Sequence, residues 1–184
     1  MNVSLAITIP DEIKHTLSAA SARHADAAVS ARWVERDHLQ FPIVNIGAVA
    51  PSFVPHITEA ITGICRSAAS FPVHVYGFGF YGSKRFPHSV WAAVEPEDAM
   101  FDLYEKLWGA VSQFGFTKPK EEFRPHIILA TFPGSAKNRP LLDALDADED
   151  IEFGVWHATR LAIYDCRVGR NGRSYRKLDQ LPLG

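Results

Sequence analysis

The chain's 184 residues are enough for one domain with a full hydrophobic core, or for two small lobes that share one. An apolar fraction of 47% and a charged fraction of 22% exclude wholesale disorder. The net charge of −2 gives no global pull toward nucleic acid or membrane, so an anionic ligand has to be held by a local patch.

Val3 to Ile9 reads as a buried strand ended by Pro10, and Asp11 opens a helix to about Ala28 with Ile13, Leu17 and Ala20 on one face. Gln40 to Ile46 is a second strand with Gly47 as its stop, followed by a helix over Pro51 to Ala69 with Ile57, Ile61 and Ile64 at helical spacing. Phe71 to Tyr81 and Ser89 to Val94 alternate as strands. Glu97 to Phe114 is a helix whose Phe101, Tyr104 and Trp108 fit a core face better than a base-stacking platform. Pro125 to Phe132 is a strand and Leu141 to Ala147 a short helix. Ala158 to Asp165 and Ser174 to Leu178 form a terminal hairpin around Gly169-Arg170-Asn171-Gly172. Strands interleaved with helices argue for an α+β domain over 1–184 of two interleaved lobes with a cleft between their sheets.

Cys65 and Cys166 belong to no CxxC or Cys/His ligand spacing and read as thiols of a reducing compartment. Met1 to Pro10 lacks the features of a signal peptide, and no apolar run approaches the roughly 18 residues of a membrane span. A cytoplasmic protein without membrane association is expected. No P-loop, dinucleotide fingerprint, zinc spacing or nucleophile elbow occurs, so neither metal nor cofactor is expected. Nothing in the sequence fixes an oligomeric state.

The polar group that stands out is His126, in Phe123-Arg124-Pro125-His126-Ile127-Ile128-Leu129. Pro125 forces Arg124 toward an extended conformation, and strand alternation then sets His126 and Ile128 on one face, Ile127 and Leu129 on the other. A titratable group in an apolar row is either a core or edge histidine satisfied by a backbone carbonyl or part of a site. Arg124, two residues earlier, favours an anion site.

The order and spacing of several segments together resemble the RNA 2′,3′-cyclic phosphodiesterases, also called 2′-5′ RNA ligases, of the two-histidine phosphoesterase superfamily. The segments are Leu5-Ala6-Ile7-Thr8-Ile9-Pro10, Trp33-Val34 leading to Gly47, Phe78-Gly79-Phe80-Tyr81-Gly82, Val90-Trp91-Ala92-Ala93-Val94, Phe123 to Ala130, and Leu161-Ala162-Ile163-Tyr164. The resemblance implies a bilobal fold of two mixed or antiparallel sheets facing a central cleft, with helices outside. It also implies a His-x-Thr or His-x-Ser motif from each lobe, one imidazole acting as general base and the other as general acid, without a metal. The implied ligand is a nucleotide or RNA terminus bearing a 2′,3′-cyclic phosphate or phosphate.

The motifs depart from that pattern. Gln40-Phe41-Pro42 stands where the first belongs, and the second keeps His126 but has Ile128 in place of the hydroxyl residue. A glutamine cannot exchange a proton near neutral pH, and proline and isoleucine side chains form no hydrogen bond. The leading expectation is a cleft that binds phosphate through His126, Gln40 and Arg124, helped by Lys84 and Arg85, with hydrolysis weak or lost. One alternative is a working phosphodiesterase in which His38, on Gln40's face if the strand is continuous, joins His126. Another is a non-catalytic interaction scaffold. Pro55-His56-Ile57-Thr58 matches the motif letters but falls in a helix, where residues two apart diverge. Arg167, Arg170, Arg173, Arg176 and Lys177 are a basic cluster that lines an RNA path or a solvated hairpin.

Overall fold

Two antiparallel sheets drawn from both halves of the chain set the architecture of a computed structural model whose described residues are 1–27, 31–132, 139–148, 150–169 and 172–184. The first holds β1 (Asn2–Ile7), β3 (Phe41–Ala48), β8 (Arg160–Gly169) and β9 (Gly172–Pro182) in the order β3-β1-β8-β9. The second holds β2 (Arg32–Trp33), β4 (Phe71–Gly82), β5 (Pro87–Val94), β6 (His126–Thr131) and β7 (Glu152–Ala158) in the order β2-β6-β5-β4-β7. The helices are α1 (Asp11–His24), α2 (Val54–Ser67), α3 (Asp98–Ser112) and α4 (Arg139–Ala147). This is the expected α+β arrangement of two sheets with helices packed against them.

Helix α1 follows the extended Pro10, carries Asp11 and Glu12 in its first turn and Arg23 and His24 in its last, and so complements its dipole at both ends. It buries Ile13, Leu17 and Ala20 and packs on β6 and β7, while α4 packs on β4. It ends before Ala28: a 3-10 turn occupies Ala25–Ala27, and Ala28 itself lies outside the described residues. A 3-10 turn over Pro51–Phe53 leads into α2, which buries the stripe Ile57, Ile61 and Cys65. Each fully buried isoleucine contributes about 1.5–3 kcal/mol. Helix α3 buries Met100, Leu103, Leu107 and Val111, packs against α2, and touches β3.

Several strands differ from the sequence expectation: β2 is additional, and the terminal hairpin strands run over Arg160–Gly169 and Gly172–Pro182. β3 runs through Gly47, whose φ of 88° is taken up where the β1–β3 register shifts, so the glycine bends the strand without ending it. β7 has no regular alternation to betray it. Its buried residues Phe153, Trp156 and Ala158 are spaced three and then two apart, because the register against β4 shifts beside Gly154. Gly154 sits at φ 124°, and a Cβ there would meet Ile13 Cδ1 at 2.7 Å, so the glycine also lets α1 approach the sheet. No helix among the described residues is long and apolar enough to cross a membrane.

Candidate active site

Strand alternation works on β6 as the sequence predicts. Ile127 and Leu129 are fully buried in the core, while His126 and Ile128 face the other way and line a cavity of about 1380 Å³. The first sheet contributes Ser4, Pro42, Asn45, Cys166 and Tyr175 to the opposite wall, joined by Gln40 just ahead of β3. The register explains their convergence. Pro42 pairs with Ala6 and Asn45 with Ser4, so an irregularity at Ile43, beside a proline that has no N–H for the ladder, keeps Pro42 and Asn45 on one face. Arg32, Tyr81, Ser89 and Thr131 complete the wall of the second sheet, and Tyr104, Trp108, Pro119 and Phe123 close one end.

His126 is held in one tautomer. Its Nδ1 lies 2.6 Å from the Arg124 carbonyl, which only accepts, so Nδ1 carries the proton and Nε2 the lone pair. The Tyr81 hydroxyl is 3.4 Å from the same Nδ1. The Tyr81 ring stands edge-on to the imidazole at 5.2 Å, and Trp91 lies 6.1 Å from it. Trp91 in turn packs over Gly79, where a Cβ would fall 2.1 Å from the indole. Burial lowers the His126 pKa from 6.5, and the Arg124 carbonyl bond only partly offsets it. The ring is therefore neutral near pH 7, with Nε2 as its acceptor nitrogen.

Gln40 lies one residue before β3, 9% exposed, with its side chain beside Tyr164. Burial raises the Tyr164 phenol, and the Gln40 amide draws it part of the way back. The wall opposite His126 is thus built of neutral amide and hydroxyl groups. The Gln40 amide holds an oxygen or a hydroxyl but moves no proton.

The remaining candidates divide. His38 lines the cavity, but it sits in a 3-10 turn (Arg36–His38) and not on a continuous strand with Gln40; its Nδ1 is 3.6 Å from the Glu35 carboxylate. The turn is closed by the His38 N–H donating to the Glu35 carbonyl at 2.8 Å, which separates it from β3. Arg124 lines the cavity with an exposed guanidinium 4.0 Å from Glu122. Lys84 and Arg85 do not line it. The Lys84 ammonium is 3.3 Å from Asp146 on α4, and the Arg85 guanidinium lies 5.2 Å over the Phe86 ring. His56 and Thr58 are on α2, as the helical reading requires, with Thr58 Oγ1 donating to the Val54 carbonyl.

The basic hairpin is also partly accounted for. Arg167 and Arg176 reach the buried Asp165 at 3.0 and 3.4 Å. Burial alone would raise that carboxyl, but Arg167, the Asn2 backbone N–H and Arg176 outweigh it and hold it below the usual range. Arg170 and the Arg173 side chain lie outside the described residues.

Sequence reasoning gave no role to Tyr81, Trp91, Ser4 or Arg32. The adjacency of Gly79 and Tyr81 to Trp91 depends on the β4–β5 register, although a small residue two before an aromatic one was a usable signal. Among the described residues no group of three or more His, Cys, Asp or Glu side chains is placed to hold a metal ion.

The comparisons agree with this fold. A family model described as the 2′-5′ RNA ligase superfamily matches residues 9–169. The chain is 30% identical over 181 residues to the RNA 2′,3′-cyclic phosphodiesterase of Thermotoga maritima, covering 97% of this chain and 93% of that one. It is 19% identical to the protein of that name from Methanocaldococcus jannaschii, over 98% and 99% of the two chains. In fold it is similar to TT0787 of Thermus thermophilus, with a TM-score of 0.82 at 19% identity over 100% and 98% of the chains. Escherichia coli LigT complexed with 3′-AMP superposes with a TM-score of 0.76 at 19% identity, over 99% and 97%.

Proposed function

The chain belongs to the 2′-5′ RNA ligase superfamily, and we propose that its cleft holds the phosphate end of a nucleotide or RNA terminus while hydrolysing it weakly or not at all. The observation that carries this reading is an unequal pair of walls. A neutral imidazole, fixed by the Arg124 carbonyl, faces a buried glutamine that lines the same cavity. His126 Nε2 supplies an acceptor, or a base toward water, and Arg124 and Arg32 are cations that line the cavity alongside Glu35, Glu121 and Glu122. A departing ribose oxygen finds no proton donor in Gln40, Pro42 or Ile128. Loss of a general acid costs about 10² to 10⁴ in rate, and loss of a preorganised donor roughly 10² to 10³. These do not multiply freely in groups that act as a unit, but either alone leaves a feeble hydrolase.

Calorimetric titration with a nucleoside 2′,3′-cyclic phosphate tests the binding half of this reading. One saturable site, weakened in His126→Ala, is expected; absence of any binding at millimolar ligand removes the proposal and favours an interaction scaffold.

One observation favours a second reading. His38 lines the same cavity beside Glu35, so it is the available second imidazole. A bell-shaped pH profile, with a large loss in both His38→Ala and His126→Ala, is the signature of that dyad. Turnover unchanged in His38→Ala eliminates it.

A further inference from the structure

The cleft has an end that phosphate binding leaves unused. Beyond Arg124 the cavity is closed by Ile43, Tyr104, Trp108, Pro119 and Phe123. The Phe123 ring lies parallel on Tyr104, with centroids 4.4 Å apart and planes 10° from coplanar, and Phe101 meets it edge-on at 5.8 Å. Lys118 Nζ sits 5.0 Å over the Tyr104 ring and is ion-paired to Glu105. Tyr104, 5% exposed, thus gives its faces to Phe123 and Lys118. Phe123 is only half-buried, so it is the ring of this pair with surface left to offer. That surface borders the cavity. Phe123 also stands three residues before His126, so the chain between them spans at most about 11 Å, the scale of a single nucleotide from phosphate to base.

We propose that Phe123 is the base platform of the cleft: a nucleobase stacks on Phe123, backed by Tyr104, while its phosphate lies at His126 and Arg124. The proposal rests on the reading of the cleft as a nucleotide site and adds where the base goes. Stacking on an aromatic face suits every base, so the platform supplies affinity without base selectivity. The bland role of Phe123, a plug that closes the core over α3, predicts no difference between ligands with and without a base.

The test compares adenosine 2′,3′-cyclic phosphate with methyl riboside 2′,3′-cyclic phosphate, which lacks a base, in wild type, Phe123→Leu and Phe123→Trp. Phe123→Leu is expected to weaken the adenosine ligand about tenfold, or ~1.4 kcal/mol, and to leave the base-free ligand unchanged; Phe123→Trp restores affinity. Unchanged binding of the adenosine ligand by Phe123→Leu overturns the platform, and so does an equal loss for both ligands. If the wild type binds neither, the nucleotide reading itself fails and the platform with it. A measurement needing no variant is the 2-aminopurine riboside 2′,3′-cyclic phosphate: its fluorescence is quenched on binding if the base stacks, and undiminished fluorescence in the bound state overturns the proposal.

Discussion

Replacing Gln40 by histidine asks whether the cleft lacks only a proton carrier. Gln40 is 9% exposed and faces the cavity that His126 lines from the other sheet. The substitution removes the amide beside Tyr164, at a cost of up to about 1 kcal/mol for one polar contact. In return it supplies a general acid or base, typically worth about 10² to 10⁴ in rate. Pro42 and Ile128 still leave the phosphoryl oxygens without hydroxyl donors, so the lower end of that range is expected: about 10²-fold, or ~2.7 kcal/mol off the barrier. Single-turnover hydrolysis of adenosine 2′,3′-cyclic phosphate, followed by the phosphomonoester product, reads this directly. The gain should vanish in Gln40→His combined with His126→Ala. A folded Gln40→His that binds the ligand and turns it over no faster than wild type refutes the reasoning.

Gly79→Ala sets a Cβ 2.1 Å from the Trp91 indole and displaces a ring that flanks His126. A loss of about 1–3 kcal/mol in urea denaturation is expected, and an unchanged midpoint contradicts the packing described. His74 lies between the carboxylates of Glu95 and Glu152 at 2.8 and 2.5 Å, and its hydrogen bonds to Glu152 and Glu95 raise its pKa against a smaller effect of burial. The stability it adds is present below its ordinary value of 6.5 and lost as pH rises through the raised one, because neutral imidazole donates to only one carboxylate. The melting-temperature gap between wild type and His74→Gln should therefore close with rising pH; a gap that widens reverses the sign argued here. Asp165 has the opposite sign. Its depressed pKa gives stability above the ordinary 3.8 that is lost as pH falls through the lowered value. Asp165→Asn should cost about 1–3 kcal/mol at neutral pH, shrinking in acid when both proteins are followed by chemical denaturation.

What was legible in the sequence followed from local periodicity. Pro125 and the alternation of His126 to Leu129 placed one imidazole on the face opposite the core; the family resemblance, and not periodicity, put Gln40 where the first motif belongs. What was not legible depended on partners distant along the chain. Asp146 lies 3.3 Å from Lys84 across 62 residues, and Asp165 lies 3.4 Å from Arg176 on the next strand, contacts that loop composition alone does not show. His38 shares Gln40's face only if the strand runs on through it; the segment instead forms a 3-10 turn, as a turn over Glu35 to His38 requires. β7 escaped because a bulge at Gly154 breaks its period of two. The Tyr81–Trp91–His126 cluster exists only once three strands are in register.

The central claim is that one imidazole of an acid–base pair survives in a cleft that still binds phosphate. The most direct measurement is the turnover number of the wild-type protein on a nucleoside 2′,3′-cyclic phosphate at saturating concentration, with binding recorded on the same sample. Saturable, His126-dependent binding with turnover at least about 10² below the ordinary enzyme range of roughly 1 s⁻¹ and above is the predicted result. Turnover within that range, abolished by His126→Ala, contradicts it.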